Sequence, residues 1–317
     1  MDKKQILYLV IPCYNEEEVL PETARQLLLK MNSMFEREMI AGESKIMFVN
    51  DGSRDRTWEI IEELHRQNPI YTGVKLSRNK GHQNALLAGL MTAKGRADMV
   101  ISLDADLQDD VNVIDRMVEC YYQGYDVVYG VRSARKTDTF FKKFTAQSFY
   151  KLMKAMGVDI VYNHADYRLM SRRALEGLSK FREVNLFLRG IVPLIGYRST
   201  EVAYERHERF AGESKYPLKK MLSFATDGIT SFSIKPIRMI TVAGFLIFVM
   251  SLAILIYSLV VHSMGRTVWG WTSTIVSIWA IGGLQLLAIG VVGEYIGKIY
   301  METKDRPKYI IEKILEE

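Results

Sequence analysis

The sequence predicts an α/β domain with a mostly parallel central sheet, followed by two transmembrane helices. Three observations carry that expectation. Short apolar runs alternate with helical stretches through the first 130 or so residues, the polar exceptions fall just after the strand-like runs, and two long apolar segments occupy the C-terminal part of the 317-residue chain. Alternation of this kind builds a sheet covered by helices. Such sheets bind ligands beyond the carboxyl ends of their strands.

QILYLVIP, residues 5–12, reads as the first strand and leads into a helix from about Glu17 to Glu38. KIMFVN is the second strand, with a helix opening after the turn DGSRD. YTGVKLS precedes the helical GHQNALLAGLMTA, ADMVISLD precedes DVNVIDRMVECYY, and Asp126 to Val131 supplies a fifth strand. The polar residues Asn15 and Glu16, Asn50 to Asp55, Ser77 to Gln83 and Asp104 to Asp110 then converge on one crevice.

The fourth of these loops is the most informative, because it gathers Asp104, Asp106, Asp109 and Asp110 at the end of an apolar strand. Carboxylates this close raise one another's pKa unless a cation or a set of donors compensates. Asp109 and Asp110 read mainly as helix N-terminal charges, and Asp51 and Asp55, taken alone, as an Asx-turn and an N-cap. Asp104 and Asp106 straddle Ala105 at a strand end and can address one hard cation, Mg²⁺ or Mn²⁺. Neither GxGxxG after the first strand nor GxxxxGK[ST] anywhere is present, so a bound nucleotide needs its diphosphate neutralised by other means. Cys13 and Cys120 match no metal spacing and read as free thiols, and the five histidines lack zinc-ligand spacing.

Ile237 to Val261 and Thr274 to Ile296 are each long and apolar enough to span about 30 Å of hydrocarbon. Lys219, Lys220, Lys235 and Arg238 precede the first, Lys298, Lys304, Arg306 and Lys308 follow the second, and the loop between offers only His262 and Arg266. Basic residues in short loops stay inside. The expectation is a multi-pass protein of the inner (plasma) membrane with both termini and the catalytic region cytoplasmic, and no signal peptide in MDKKQILYLVIP. The domains expected are 1–215 catalytic, 216–236 juxtamembrane, 237–261 and 274–296 membrane helices, 262–273 an external loop and 297–317 a cytoplasmic tail. Gly293 and Gly297 form a small-xxx-small face for helix packing within or between subunits. The net charge of +5 fits an anionic membrane surface, and with no interleaved basic and aromatic module a nucleic-acid partner is not expected.

LVIPCYNEEEVL, VNDGSRDRT, LSRNKGHQNALLAGL, LDADLQDD, YGVRSAR, ADYRLM and ERHERFAGESKYPLKKM together resemble family 2 glycosyltransferases of the polyprenyl-phosphate type. The resemblance covers nearly the whole chain, in order. It implies a GT-A fold and inverting transfer of one sugar from a nucleotide sugar to a polyprenyl phosphate at the membrane. Pro12, Tyr14, Glu16 and Asp51 would line the nucleoside pocket, with Lys80 and His82 near the donor. Asp104 and Asp106 match the Asp-x-Asp metal motif, Asp106 being the principal metal ligand. Asp166 matches the acidic residue beside the reacting sugar, with Arg168 near the acceptor. Arg206, Arg209, Ser214 and Lys215 match the basic motif that meets phosphates. Ala165 departs from the family pattern, which has Gly there. The two-span layout resembles undecaprenyl-phosphate glucosyltransferases and favours UDP-glucose, with UDP-N-acetylglucosamine or GDP-mannose as alternatives. The rivals are a processive polysaccharide synthase, whose Gln-x-x-Arg-Trp is missing here, and a non-catalytic membrane-tethered nucleotide sensor or scaffold.

Overall fold

The computed structural model describes residues 4–132, 164–183, 187–205, 235–264 and 270–315. They form two units, one built from the N-terminal region together with the last dozen residues, the other containing two long helices. The first unit holds β1 (Leu7–Cys13), α1 (Leu20–Glu36), β2 (Lys45–Asn50), α2 (Thr57–Gln67), β3 (Tyr71–Leu76), α3 (His82–Ala93), β4 (Met99–Ser102), α4 (Val113–Tyr122) and β5 (Val127–Arg132). It continues with β6 (His164–Ser171), α5 (Arg172–Leu178), α6 (Leu188–Leu194) and β7 (Ser199–Tyr204), and ends with β8 (Ile311–Leu315).

One eight-stranded sheet runs β7-β5-β6-β4-β1-β2-β3-β8. β1 is parallel to β2 and β4, β2 to β3, and β5 to β7, whereas β6 runs antiparallel to β4 and β5 and β8 antiparallel to β3. All seven residues of β1, LYLVIPC, are buried, as a central strand covered on both faces requires. Pro12 lies beyond Val10, the last β1 residue paired with β4, so the donor it lacks is not missed on that side. Helix α1 starts with Pro21 in its first turn and buries Leu20, Ala24, Leu27, Met31 and Met34, a spacing of three and four that keeps one apolar stripe on the sheet. Its stripe shares a core with Leu7, Leu9 and Ile11, while α3 covers the opposite face, where Gly89 meets Val10 and Val49.

The five expected strands are present, and β6, β7 and β8 add to them. The expected helix from about Glu17 begins at Leu20, because residues before it form a turn bonded to the second loop. Ala165 lies within β6, where extended backbone accepts a methyl group. The chain from 297 on is divided between a helix that continues to Thr303 and the edge strand β8.

In the second unit α7 (Lys235–Ser263) and α8 (Trp271–Thr303) have 29 and 33 residues, about 44 and 50 Å of helix. Within α8 the stretch Ile281–Thr303 is long and apolar enough to cross a membrane. Leu286, Ile289, Ile296 and Ile299 are more than half exposed, as are Met239, Val242, Phe245 and Leu246 of α7. Helices apolar on several faces are poorly suited to water. The expected juxtamembrane segment lies almost entirely outside the described residues, as does the tip of the loop between the helices.

The α3 contact can be tested directly. A Cβ on Gly89 would come within 2.5 Å of Val10 Cγ1 and 2.6 Å of Val49 Cγ2. Gly89→Leu is therefore expected to destabilise the first unit by at least about 1–3 kcal/mol through overpacking, measured by denaturant unfolding against Gly95→Ala, a site with open space around it.

Candidate active site

The loops after β1 and β2 are bonded into one surface. Asn15, at φ 54°, accepts from the Arg54 amide at 2.9 Å and donates its own amide to Ser53 Oγ at 3.0 Å. The Glu16 amide donates to Thr57 Oγ1 at 2.9 Å. Asp55 accepts from the Thr57 amide and hydroxyl at 3.1 and 2.6 Å, which is the turn role expected of it. Tyr14 projects outward, 42% exposed, whereas Pro12 is buried.

Asp51 is 2% exposed, and its two carboxylate oxygens accept from the backbone amides of Lys80 at 2.7 Å and Gly81 at 2.9 Å. Burial raises its pKa, and the two amides partly offset that rise. Asp51, expected to line the nucleoside pocket, thus lies beneath the loop whose backbone amides donate to it. Lys80 contributes the first of those amides, and Gly81, at φ 86°, opens α3.

The register between β4 and β6 sets the centre of the site. Ser102 pairs with Arg168 in that antiparallel ladder, so two residues further along the same register Asp104 faces Asp166. His82, first in α3, sits between them, with Nε2 3.6 Å from Asp104 Oδ1 and 3.5 Å from Asp166 Oδ2. Burial opposes charge on His82, but Asp166 and Asp104 outweigh it and raise the imidazole pKa. Asp104 is pushed up to about 6 by burial, relieved in part by His82 and reinforced by Asp109, Asp166 and Asp106. Next to it Asp106 Oδ1 accepts from the Gln108 amide at 3.2 Å, in a loop where Leu107 adopts φ 55°.

Asp166 has the opposite character. It is 5% exposed, and burial alone would raise its carboxyl, yet His82, Arg189 and Arg168 hold it well below the usual carboxylate range. Arg189 contributes Nε at 3.3 Å to Oδ1 and Nη2 at 3.1 Å to Oδ2, Arg168 Nη2 lies 3.4 Å from Oδ1, and Gln83 Nε2 donates to Oδ2 at 3.3 Å. Arg168, expected near the acceptor, sits directly behind Asp166. It is 2% exposed, bonded to Asp166 and to the Leu188 carbonyl, and lies over the Tyr129 ring, so it holds the aspartate from behind. Alternation along a strand places residues two apart on one face, a signal for this pairing that was present in ADYRLM.

Arg189 and Tyr204 have no local motif that marks them, while Gln83 and Arg132 stand in the quoted stretches LSRNKGHQNALLAGL and YGVRSAR but carried no assigned role there. Asp109 is 4% exposed and bonded to Tyr204 Oη at 2.5 Å and Arg132 Nη2 at 3.4 Å, so its main role is tying the acidic loop to β5 and β7 rather than capping α4. Arg206, Arg209, Ser214 and Lys215, with His207, lie outside the described residues.

Among the described residues no three His, Cys, Asp or Glu side chains form a ready-made metal cage. Asp104 and Asp106 nevertheless fit a hard divalent ion of the kind bound by one or two carboxylates, with substrate oxygens and water completing the shell. The raised pKa of Asp104 marks negative charge that the surrounding protein leaves undercompensated.

The chain belongs to glycosyltransferase family 2: the family model, glycosyl transferase family 2, matches residues 8–179. It is a glycosyltransferase. Its relatives include the uncharacterized glycosyltransferase YkoT of Bacillus subtilis (strain 168), 56% identical over 307 residues that span 97% of this chain and 91% of that protein. Another is the SfII prophage-derived bactoprenol glucosyl transferase of Shigella flexneri, 42% identical over 312 residues, 96% of this chain and 97% of that protein.

The charge pattern makes two predictions. Asp166→Leu leaves the buried Arg168 without its counter-ion and is expected to cost about 3–5 kcal/mol, read by denaturant unfolding in detergent; a loss under about 1 kcal/mol would contradict the pairing. Asp104, raised to about 6, binds its proton more tightly folded than unfolded, so its contribution to stability is present below about pH 4 and lost as pH rises through about 6. In chelator, the Tm of Asp104→Asn relative to wild type should rise across that window, and a flat difference from pH 4 to 7.5 would contradict it.

Proposed function

We propose that this glycosyltransferase transfers one hexose, with inversion, from a nucleotide sugar to a polyprenyl phosphate on the cytoplasmic leaflet of the inner membrane. UDP-glucose and undecaprenyl phosphate are the first reading, and UDP-N-acetylglucosamine and GDP-mannose the alternatives. The similarity to a bactoprenol glucosyl transferase over almost the full length supports the lipid acceptor. The observation that carries the reading is the set of donors on Asp166, whose two oxygens accept from Arg189, Arg168 and Gln83. A carboxylate held far below its usual range is a poor proton acceptor. A sugar hydroxyl acceptor would need such a base, whereas a phosphate monoester, with a second pKa near ~6, brings its own negative charge.

In this mechanism Tyr14, Glu16 and the loop held by Asp51 receive the nucleoside, and Asp104 and Asp106 face the diphosphate. A divalent ion on Asp104 and Asp106 supplies Lewis-acid stabilisation of charge on the leaving diphosphate. Asp166, fixed by Arg189, Gln83 and Arg168, places a negative charge beside the anomeric carbon, where an oxocarbenium-like state develops positive charge. Arg206, Arg209, Ser214 and Lys215 are assigned to the acceptor phosphate.

Two membrane crossings complete the proposal, with 1–215 as the catalytic region, spans at 237–261 and 274–296, and both termini cytoplasmic. The chain leaves the sheet at β7 and returns to it at β8, and a bilayer cannot divide one sheet. This supports an even number of crossings by the helices between. Gly293 and Gly297 remain the proposed packing face for a homo-oligomer.

Asp106→Ala is expected to lose at least tenfold in turnover while the protein stays folded, and full activity of this variant in EDTA would overturn the metal assignment. Asp166→Asn should lose most turnover yet bind donor almost normally by calorimetry. Its residual rate should level off as pH rises through roughly 6 to 7, following acceptor ionisation. A rate that climbs steadily to pH 9 and is rescued by exogenous base would make Asp166 the general base instead.

A further inference from the structure

The strand that follows the two long helices touches the loop that Asp51 holds. β8 pairs antiparallel with β3, Gly73 facing Leu315, Val74 facing Ile314 and Lys75 facing Lys313, and the register shifts between Lys75 and Leu76. Irregularities of this kind are frequent where a strand must re-aim its end beside a site. Past the shift the pairing resumes, and the Ser77 amide donates to the Ile310 carbonyl at 3.0 Å. Ser77 is the first residue of the loop Ser77–Gly81.

That loop is fixed from two sides. Its far end donates the Lys80 and Gly81 amides to Asp51. Its middle lies against Gly52, at φ 63°, where a Cβ would come within 2.5 Å of Arg78 C and Asn79 N. Its near end is bonded to Ile310. Three ties hold β8 itself: Thr72 Oγ1 donates to the Leu315 carbonyl at 2.6 Å, Lys75 pairs with Glu312 at 2.8 Å, and Lys313 pairs with Glu62 at 2.8 Å. Both ion pairs are partly solvated and contribute little alone. The backbone ladder and the buried Thr72 bond contribute more.

From this arrangement we infer that β8 is a positioning element of the donor site: it sets the Ser77–Gly81 loop in the conformation that receives the nucleotide. The inference rests on reading the crevice as the donor site. A loop whose residues Ser77, Arg78 and Asn79 are exposed has few contacts of its own to choose one conformation. Removing one of its two backbone anchors widens the ensemble, and nucleotide binding must then restore the order. The consequence is a weaker ground-state complex with little change in the chemical step at saturation.

The test uses the full chain in nanodiscs and a chain ending at Pro307, with UDP and GDP in the presence of Mn²⁺ as calorimetric probes. The shortened chain should bind the preferred nucleotide at least tenfold more weakly. Its donor KM should rise in parallel while kcat stays within about threefold, and a peptide of residues 308–317 should restore much of the affinity. A purely structural role would lower the amount of active enzyme and leave KM unchanged. Should the shortened chain fail to fold, Ser77→Pro decides, since it deletes the amide bonded to Ile310 and keeps β8. Its loss of affinity beyond that of Ser77→Ala reports the backbone bond. Glu312→Ala, which removes only a surface ion pair, should stay within twofold of wild type. Wild-type affinity in a folded shortened chain, or equal affinities for Ser77→Pro and Ser77→Ala, would overturn the inference. Failure of wild type to bind either nucleotide would instead count against the donor-site reading itself, and with it this role for β8.

Discussion

The charge balance around Asp104 and Asp166 constrains the rest of the molecule. Two carboxylates at the ends of neighbouring strands, with Asp106 and Asp109 close by, cannot all be ionised in a part-buried crevice without compensation. The protein compensates the two sides unequally. Arg168, Arg189 and His82 hold Asp166 ionised, while Asp104 is left with a carboxyl raised to about 6. The outcome is a polarised site, with a fixed anion on one wall and an unfilled demand for a cation on the other. A nucleotide diphosphate carried by a divalent ion matches that demand.

Sheet topology produces the polarity. β6 enters antiparallel between β4 and β5, which brings Asp166 across from the acidic loop and puts Arg168 behind it. Asp104 and Asp106 stood out in the sequence because two carboxylates straddling one residue at the end of an apolar strand are not needed to start the helix that follows. The five strands of the alternating region were legible for the same reason of pattern, apolar runs bounded by polar turns. The insertion of β6 was not, since no local periodicity reports which strands a distant segment separates. Arg168 was expected from its motif near the acceptor, and its ion pair with Asp166 was legible only as a spacing of two along a strand. Arg189 was invisible because its meaning comes entirely from Asp166, 23 residues away, and Gln83 was placed at the crevice but its bond to Asp166 was not legible.

The C-terminus shows the same division. The residues IEKIL of β8 show no strict alternation, and their pairing with β3 joins positions more than 230 residues apart. Closing the sheet with the last residues of the chain ties the end that leaves the apolar helices to the loops beside the acidic crevice. One sheet therefore both precedes and follows the two long helices.

The central claim is that the acceptor is a lipid phosphate whose own charge replaces a protein base. The most direct measurement is mass spectrometry of lipids extracted after purified protein in nanodiscs is incubated with a panel of nucleotide sugars, Mn²⁺ and either undecaprenyl phosphate or undecaprenol. The account predicts a single added hexose on undecaprenyl phosphate, released by mild acid as expected of a glycosyl phosphate, and no product with undecaprenol. Equal glycosylation of the free alcohol, or successive additions of sugar to one lipid, would contradict it.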